Sequence, residues 1–195
     1  MGNRPVRYPT RGMHGFFRRR RREWPQRKAD LNHFGGSIMF DWLRRKASWK
    51  PPQVSGEERD LRTFGTSDRP VSRTARWNGS ELIVETGDAG CVSLFDLPLP
   101  DLEQCRITYR FRIQTEALKA SVYPEMWCRI PEKGLFFSRG MDRKIQGTVD
   151  WAEVEISFYL EKGQRADLLH LNLAFEGAGG VRLKDIRVTT AAVSA

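Results

Sequence analysis

The chain is poor in the residues that usually announce a chemistry. Among 195 residues there are three cysteines and three histidines. Cys91, Cys105 and Cys128 are scattered, and no pair stands at metal-ligand spacing. Each falls in a predicted strand among apolar neighbours. They read either as reduced, buried thiols of a cytoplasmic protein or as one disulfide with a spare thiol, which would require export. His170 has no second histidine or carboxylate at ligand spacing, so no metal site is expected. There is no G-x-S-x-G elbow, P-loop, G-x-G-x-x-G after a strand, or H-E-x-x-H. No catalytic residue and no cofactor is therefore expected. No apolar run approaches the roughly 20 residues that would span a bilayer. No secretory signal is expected either, because the basic N-terminus is never followed by an apolar stretch.

Charge is abundant but unevenly placed. The net charge is +9. Residues 1–50 hold 14 Lys and Arg against 3 Asp and Glu, a net of +11; the remaining residues hold 19 against 21, a net of −2. The excess positive charge lies entirely in the first 50 residues, so the overall balance says nothing about polyanion binding by the rest. Five consecutive arginines, Arg18, Arg19, Arg20, Arg21 and Arg22, are a candidate polyanion contact for nucleic acid or an anionic membrane. The competing readings are a solvated charge run, or translation beginning at Met39. No helix-turn-helix, zinc finger or RNA-binding pattern accompanies them. A chain starting at Met39 would separate these readings by losing any polyanion binding. Residues 1–52 are expected to be a mostly disordered basic tail with a short helix at 39–48. Residues 53–76 read as a polar linker or edge segment that Leu61 and Phe64 could pin down.

Residues 77–190 carry the strand signal. Val154, Ile156, Phe158 and Leu160 alternate with Glu153, Glu155, Ser157 and Tyr159, a period of two that buries one face. After a polar break at 161–164, Leu169, Leu171, Leu173 and Phe175 repeat the pattern. Gly177 to Gly180 force a tight turn. The closing strand shifts its hydrophobic phase at Lys184–Asp185, which predicts a bulge. Upstream, strands are expected at 81–85, 91–96, 106–114, 120–130 and 135–138. The segment 97–101 is expected as a loop because of Pro98 and Pro100, and 139–150 as a long polar connection. Trp77 and Trp151 read as plugs at the core edge. The fold class is all-β: an antiparallel two-sheet jelly-roll β-sandwich.

The run GTVDW, an alternating strand, and GQRADLLHLNLAFEGAGGVRLKDIRV together resemble a bacterial jelly-roll domain of galactose-binding-like or carbohydrate-binding-module type. FFSRGMDRKIQGTVDW resembles a loop of such domains, some of them attached to transcriptional regulators. The resemblance covers roughly residues 77–190 and implies the sandwich fold. Relatives commonly carry an aromatic and an acidic residue where this chain has Arg182 and Lys184. Only Asp185 remains, so paired carboxylates for calcium are not expected at this end.

If 120–130 and 167–176 share a sheet, their outward faces combine Tyr123, Glu125, Trp127, Arg129, His170 and Asn172. A ring flanked by carboxylate, guanidinium and amide suits a carbohydrate or another small polar ligand. The bland alternative is a solvated sheet with Trp127 covered by another segment or a protein partner. Arg110, Arg112, Glu155 and Tyr159, on the other sheet, read as cross-strand charge pairing. The expectation is a binding module rather than an enzyme. Its partners would be a carbohydrate-like ligand or a protein, with nucleic acid only if the arginine run takes part.

Overall fold

The computed structural model describes residues 51–194. The arginine run and the helix expected at 39–48 lie outside the described residues. Among those described there are nine strands and no helix. The strands are β1 (Arg59–Thr63), β2 (Ala75–Asn78), β3 (Glu81–Thr86), β4 (Gly90–Leu102) and β5 (Cys105–Ile130), followed by β6 (Gly134–Arg139), β7 (Ile145–Leu160), β8 (Ala166–Phe175) and β9 (Gly179–Ala192). Every pairing is antiparallel.

The 26-residue strand β5 organises the rest. Its first half lies between β7 and β9, with Tyr109 opposite Ile156 on one side and Val188 on the other. Its second half lies between β8 and β6, with Met126 opposite Leu171 and Ser138. One layer therefore runs β2-β3-β9-β5-β7, with β1 also on β9, and the other runs β6-β5-β8-β4. This is the two-layered antiparallel jelly-roll sandwich expected from the alternation.

The sequence suggested two strands broken at 115–119, but the chain stays in the ladder there. Thr115 Oγ1 donates to the Gly147 carbonyl at 2.9 Å, and Ala117 N–H donates to Thr148 Oγ1 at 3.0 Å. Register shifts on both sides of Thr115, with Ala117 at φ 46°, bend β5 from one layer into the other. A bulge does this by adding an unpaired residue and increasing local twist.

Two further expectations are corrected. Residues 97–101 are not a loop: β4 continues to Leu102, and Pro98 pairs with Leu168. A proline is tolerated on an edge strand whose missing N–H faces away from its partner. The polar stretch 139–150 is not all connection, because β7 begins at Ile145. Among the described residues β7 has a single ladder partner, β5, and as an edge strand it can be polar on both faces. The bulge expected near Asp185 is present: Arg112 pairs with Lys184 while Arg110 pairs with Arg187, and Asp185 has φ 54°. Within 53–76, β1 pairs with β9, and Phe64 is buried and stacks on Phe95 at 4.2 Å.

The core lies between the layers. Ile107, Tyr109, Phe111 and Ile113 of β5 meet Leu183, Ile186 and Val188 of β9 and Leu169, Leu171, Leu173 and Phe175 of β8, all buried. Each large apolar side chain so placed contributes about 1.5–3 kcal/mol. Ile156 is buried and Phe158 packs against the rim of this cluster. Trp77 is an edge plug as expected, with Nε1 donating to the Asp68 carbonyl at 2.7 Å. Trp151 is not: Lys184 Nζ, on the outward face, lies 3.9 Å from its ring centroid.

Candidate functional site

Register places the candidate residues on one surface. Val122, Met126, Cys128 and Ile130 of β5 are buried in the core, so Tyr123, Glu125, Trp127 and Arg129 project outward. Across β8, Glu125 sits opposite Asn172 and Trp127 opposite His170. The structure therefore brings all six together on the outer face of the β6-β5-β8-β4 layer. Adjacent strands extend the rows. β4 sets Ser93 beside Asn172 and Asp96 beside His170, while β6 sets Arg139 beside Glu125 and Phe137 beside Trp127.

Glu125 is the hub. It is only 4% exposed, although it points away from the core. Its Oε1 accepts from Trp127 Nε1, and from Cys91 Sγ at 3.5 Å; its Oε2 accepts from Arg139 Nε. A buried carboxylate needs such partners to offset lost hydration. The Trp127 indole is thereby pinned, and its ring tilts 44° against Phe137 at 5.2 Å. Phe137 is 52% exposed, and the Arg139 guanidinium lies 4.5 Å from its centroid. The surface thus presents an indole held by a buried carboxylate and a phenyl ring packed beside it under the Arg139 guanidinium.

Asn172 is 4% exposed, and its Oδ1 is buried without a hydrogen-bond partner among the described residues. The side-chain charges nearby are engaged. Arg129 makes a bidentate pair with Asp167, two bonds of 2.8 Å. That hydrogen bonding holds Asp167 below the ordinary carboxylate range. His170 Nδ1 and Asp96 Oδ1 are 2.7 Å apart. Lys144 hydrogen-bonds Glu176 and stands 5.7 Å from the half-buried Tyr123 ring.

Sequence reasoning missed Phe137, Arg139, Asp96 and Cys91. The first two were within reach: counting back across the Pro131–Gly134 turn sets Phe137 opposite Trp127. Cys91, expected in the core, is exposed on β4 instead, whereas Cys105 and Cys128 are buried. Desolvation and the neighbouring Glu125 push the Cys91 thiol up to about 12, so it is a poor nucleophile.

The other layer's outer face differs. Arg110 bonds Glu155 at 2.6 Å, the cross-strand pairing expected from the alternation. A cleft of about 520 Å³ opens there beside the β5 bulge, lined by Gln114, Glu116, Thr148, Asp150 and Arg182 among others and by no aromatic ring. This cleft and the aromatic surface thus lie on opposite layers. The aromatic face gathers two rings, a buried carboxylate and a buried amide whose oxygen has no hydrogen-bond partner among the described residues.

Fold and surface together define an antiparallel β-sandwich that carries a ring-bearing polar patch on an open sheet face. No family model and no curated protein matches the chain. Solved structures similar to it include a CBM4 module at TM-score 0.44 and 10% identity, covering 64% of this chain and 79% of that one. The CBM22-1 xylan-binding domain from Paenibacillus barcinonensis Xyn10C is similar at TM-score 0.43 and 12% identity, covering 73% and 99%. A structure of infectious bursal disease virus Gt strain scores 0.44 at 7% identity, covering 75% and 37%. Identities this low transfer no ligand.

Proposed function

We propose that this chain is a non-catalytic binding module that takes a carbohydrate-like ligand on the outer face of the β6-β5-β8-β4 layer. The observation that carries the reading is the Trp127–Phe137 ring pair, with its indole pinned by Glu125, on the same outward face as His170 and Asn172. Ring faces accept the C–H surface of a pyranose. Arg129, Arg139 and Lys144 are paired with carboxylates. An uncharged saccharide therefore suits the patch better than an ionic one. The pinned indole lowers the ordering cost of binding, because its orientation is set beforehand.

A glycan array identifies the ligand, and calorimetry measures it. Trp127→Ala is expected to abolish binding and Arg112→Ala, on the opposite layer, to leave it unchanged. Binding that survives Trp127→Ala would show that the ligand sits elsewhere.

A second reading is a protein-docking surface. Its support is β6, whose Leu135, Phe136 and Phe137 are exposed, with Met141 just beyond. Phe136 and Phe137 point to opposite sides of this edge strand. Loss of a protein complex in Phe136→Ser, with glycan binding intact, would favour it.

A further inference from the structure

The β9-β5-β7 layer holds a second cluster that cross-strand pairing alone does not explain. Arg110 of β5 sits directly opposite Arg187 of β9, and Arg106 lies two pairs along on the same outward face. Like charges directly opposite each other destabilise a ladder. Thr189 of β9, opposite Thr108, lies between them.

These groups gather around Glu58, just ahead of β1. Thr189 Oγ1 donates to Glu58 Oε1 at 2.5 Å. The same oxygen lies 3.7 Å from Arg106 Nη2 and from Arg110 Nη2. The Thr189 hydrogen bond, with help from all three guanidiniums, holds the Glu58 carboxyl below its ordinary range. One oxygen is thus asked to serve three donors. The Nε atoms of Arg106 and Arg187 are buried with no hydrogen-bond partner among the described residues. Glu155, bonded to Arg110 at 2.6 Å, and Glu153, 3.8 Å from Arg110 Nε, are both engaged with Arg110 and not with the Nε atoms of Arg106 and Arg187. Buried donors left unpaired are costly, and the arrangement has more donors than Glu58 has well-placed acceptors.

The segment bearing Glu58 lies at the sheet edge. A Val54–Val193 bridge, 2.9 Å bonds from Ser55 N–H to the Ala192 carbonyl and from Ser194 N–H to the Gln53 carbonyl, and the β1–β9 ladder from Arg59 onward hold it, while β1 itself is mostly exposed. Segments with few buried contacts open first.

We propose that Arg106, Arg110, Arg187 and Thr189 form an oxyanion site for a sulfate or carboxylate group, with Glu58 as its built-in ligand. Guanidinium forks match the paired oxygens of such groups, and a tetrahedral sulfate offers the extra acceptors that Glu58 lacks. The site is separate from the aromatic face and does not depend on the saccharide reading.

The test is thermal shift of the full chain in sodium sulfate against sodium chloride at matched ionic strength, which removes general screening. Glu58→Gln is expected to show sulfate half-saturation at least about tenfold below wild type, a gain on the scale of one charge-assisted contact. Glu58→Ala, which leaves no residual acceptor, should behave alike and serves if the glutamine variant folds poorly. Adding Arg187→Gln to either should abolish the response. An equal sulfate response in wild type and both Glu58 variants overturns the proposal, as does a response that survives Arg187→Gln. Glucose 6-sulfate run beside inorganic sulfate and glucose separates the sources. A response to inorganic sulfate and the sulfated sugar but not glucose supports an oxyanion site, and a response to glucose alone overturns it.

Discussion

The two halves of β5 present opposite solutions to the same problem, an outward sheet face rich in charge. In the first half, Arg110 meets Glu155 across the strand and both remain partly exposed. Solvent screens that pair, so it adds little to stability and mainly sets register. In the second half, Glu125 is sunk beneath Trp127 and Arg139, and its hydrogen bonds hold an indole in place. A charge at a given spacing is therefore structural trim on one layer and the organiser of a surface on the other. The difference comes from neighbours: the Trp127 indole, Arg139 and Cys91 surround Glu125, whereas Glu155 sits on the edge strand β7.

The largest expected consequence is in stability. Glu125→Ala should cost about 2–4 kcal/mol, because it strands the indole N–H and the Arg139 guanidinium in a partly buried setting. Glu155→Ala should cost under about 1 kcal/mol. Urea denaturation of both variants measures the contrast, and equal losses would erase it.

The hinge between the halves comes next. Ala117 at φ 46° occupies a left-handed conformation that a Cβ disfavours. Ala117→Gly should raise stability by about 0.5–1 kcal/mol, whereas Ala117→Val should lower it. The same denaturation curves decide; a destabilised glycine variant would mean the bend is held by something other than local conformation.

A smaller effect is pH-dependent. Glu58 and Asp167 have folded pKa values below their ordinary 4.5 and 3.8, through hydrogen bonds to Thr189 and Arg129 respectively. A lowered folded pKa gives stability that is full above the unfolded value and is lost as pH falls through the folded one. Thermal midpoints should therefore decline below about pH 4.5. Glu58→Gln should flatten the part owed to the first layer and Arg129→Gln the part owed to the second. If neither variant changes the slope, the acid sensitivity lies elsewhere.

The smallest effect is chemical. Cys91 is exposed yet its thiol is held near 12, so at pH 8 it should alkylate with iodoacetamide more slowly than free cysteine. Glu125→Gln should speed it by removing the adjacent negative charge. Equal rates in the two proteins would uncouple Cys91 from Glu125.

Much of this architecture was legible. Leu169, Leu171, Leu173 and Phe175 announce a half-buried strand because burial of one face forces period two. The phase slip at Lys184–Asp185 announced a bulge for the same reason. With 120–130 and 167–176 as sheet neighbours, period two puts the six site residues on one face. Other features left no such trace. Residues 145–153 alternate weakly because an edge strand has little to bury. Residues 115–119 look like a break because a bulge locally suspends alternation. Cys91 looks like core because its apolar neighbours, Val92 and Leu94, are core while it points the other way.

Composition and alternation alone determined that this chain makes an antiparallel sandwich and which side of each regular strand meets water, since both follow from local geometry and the cost of exposing apolar surface. Only the tertiary structure decided that β5 serves both layers, that Glu125 lies buried under Trp127 and Arg139, and that Arg106, Arg110 and Arg187 converge on Glu58. Those outcomes depend on which strands become neighbours and in what register, and residues up to 131 positions apart along the chain meet there.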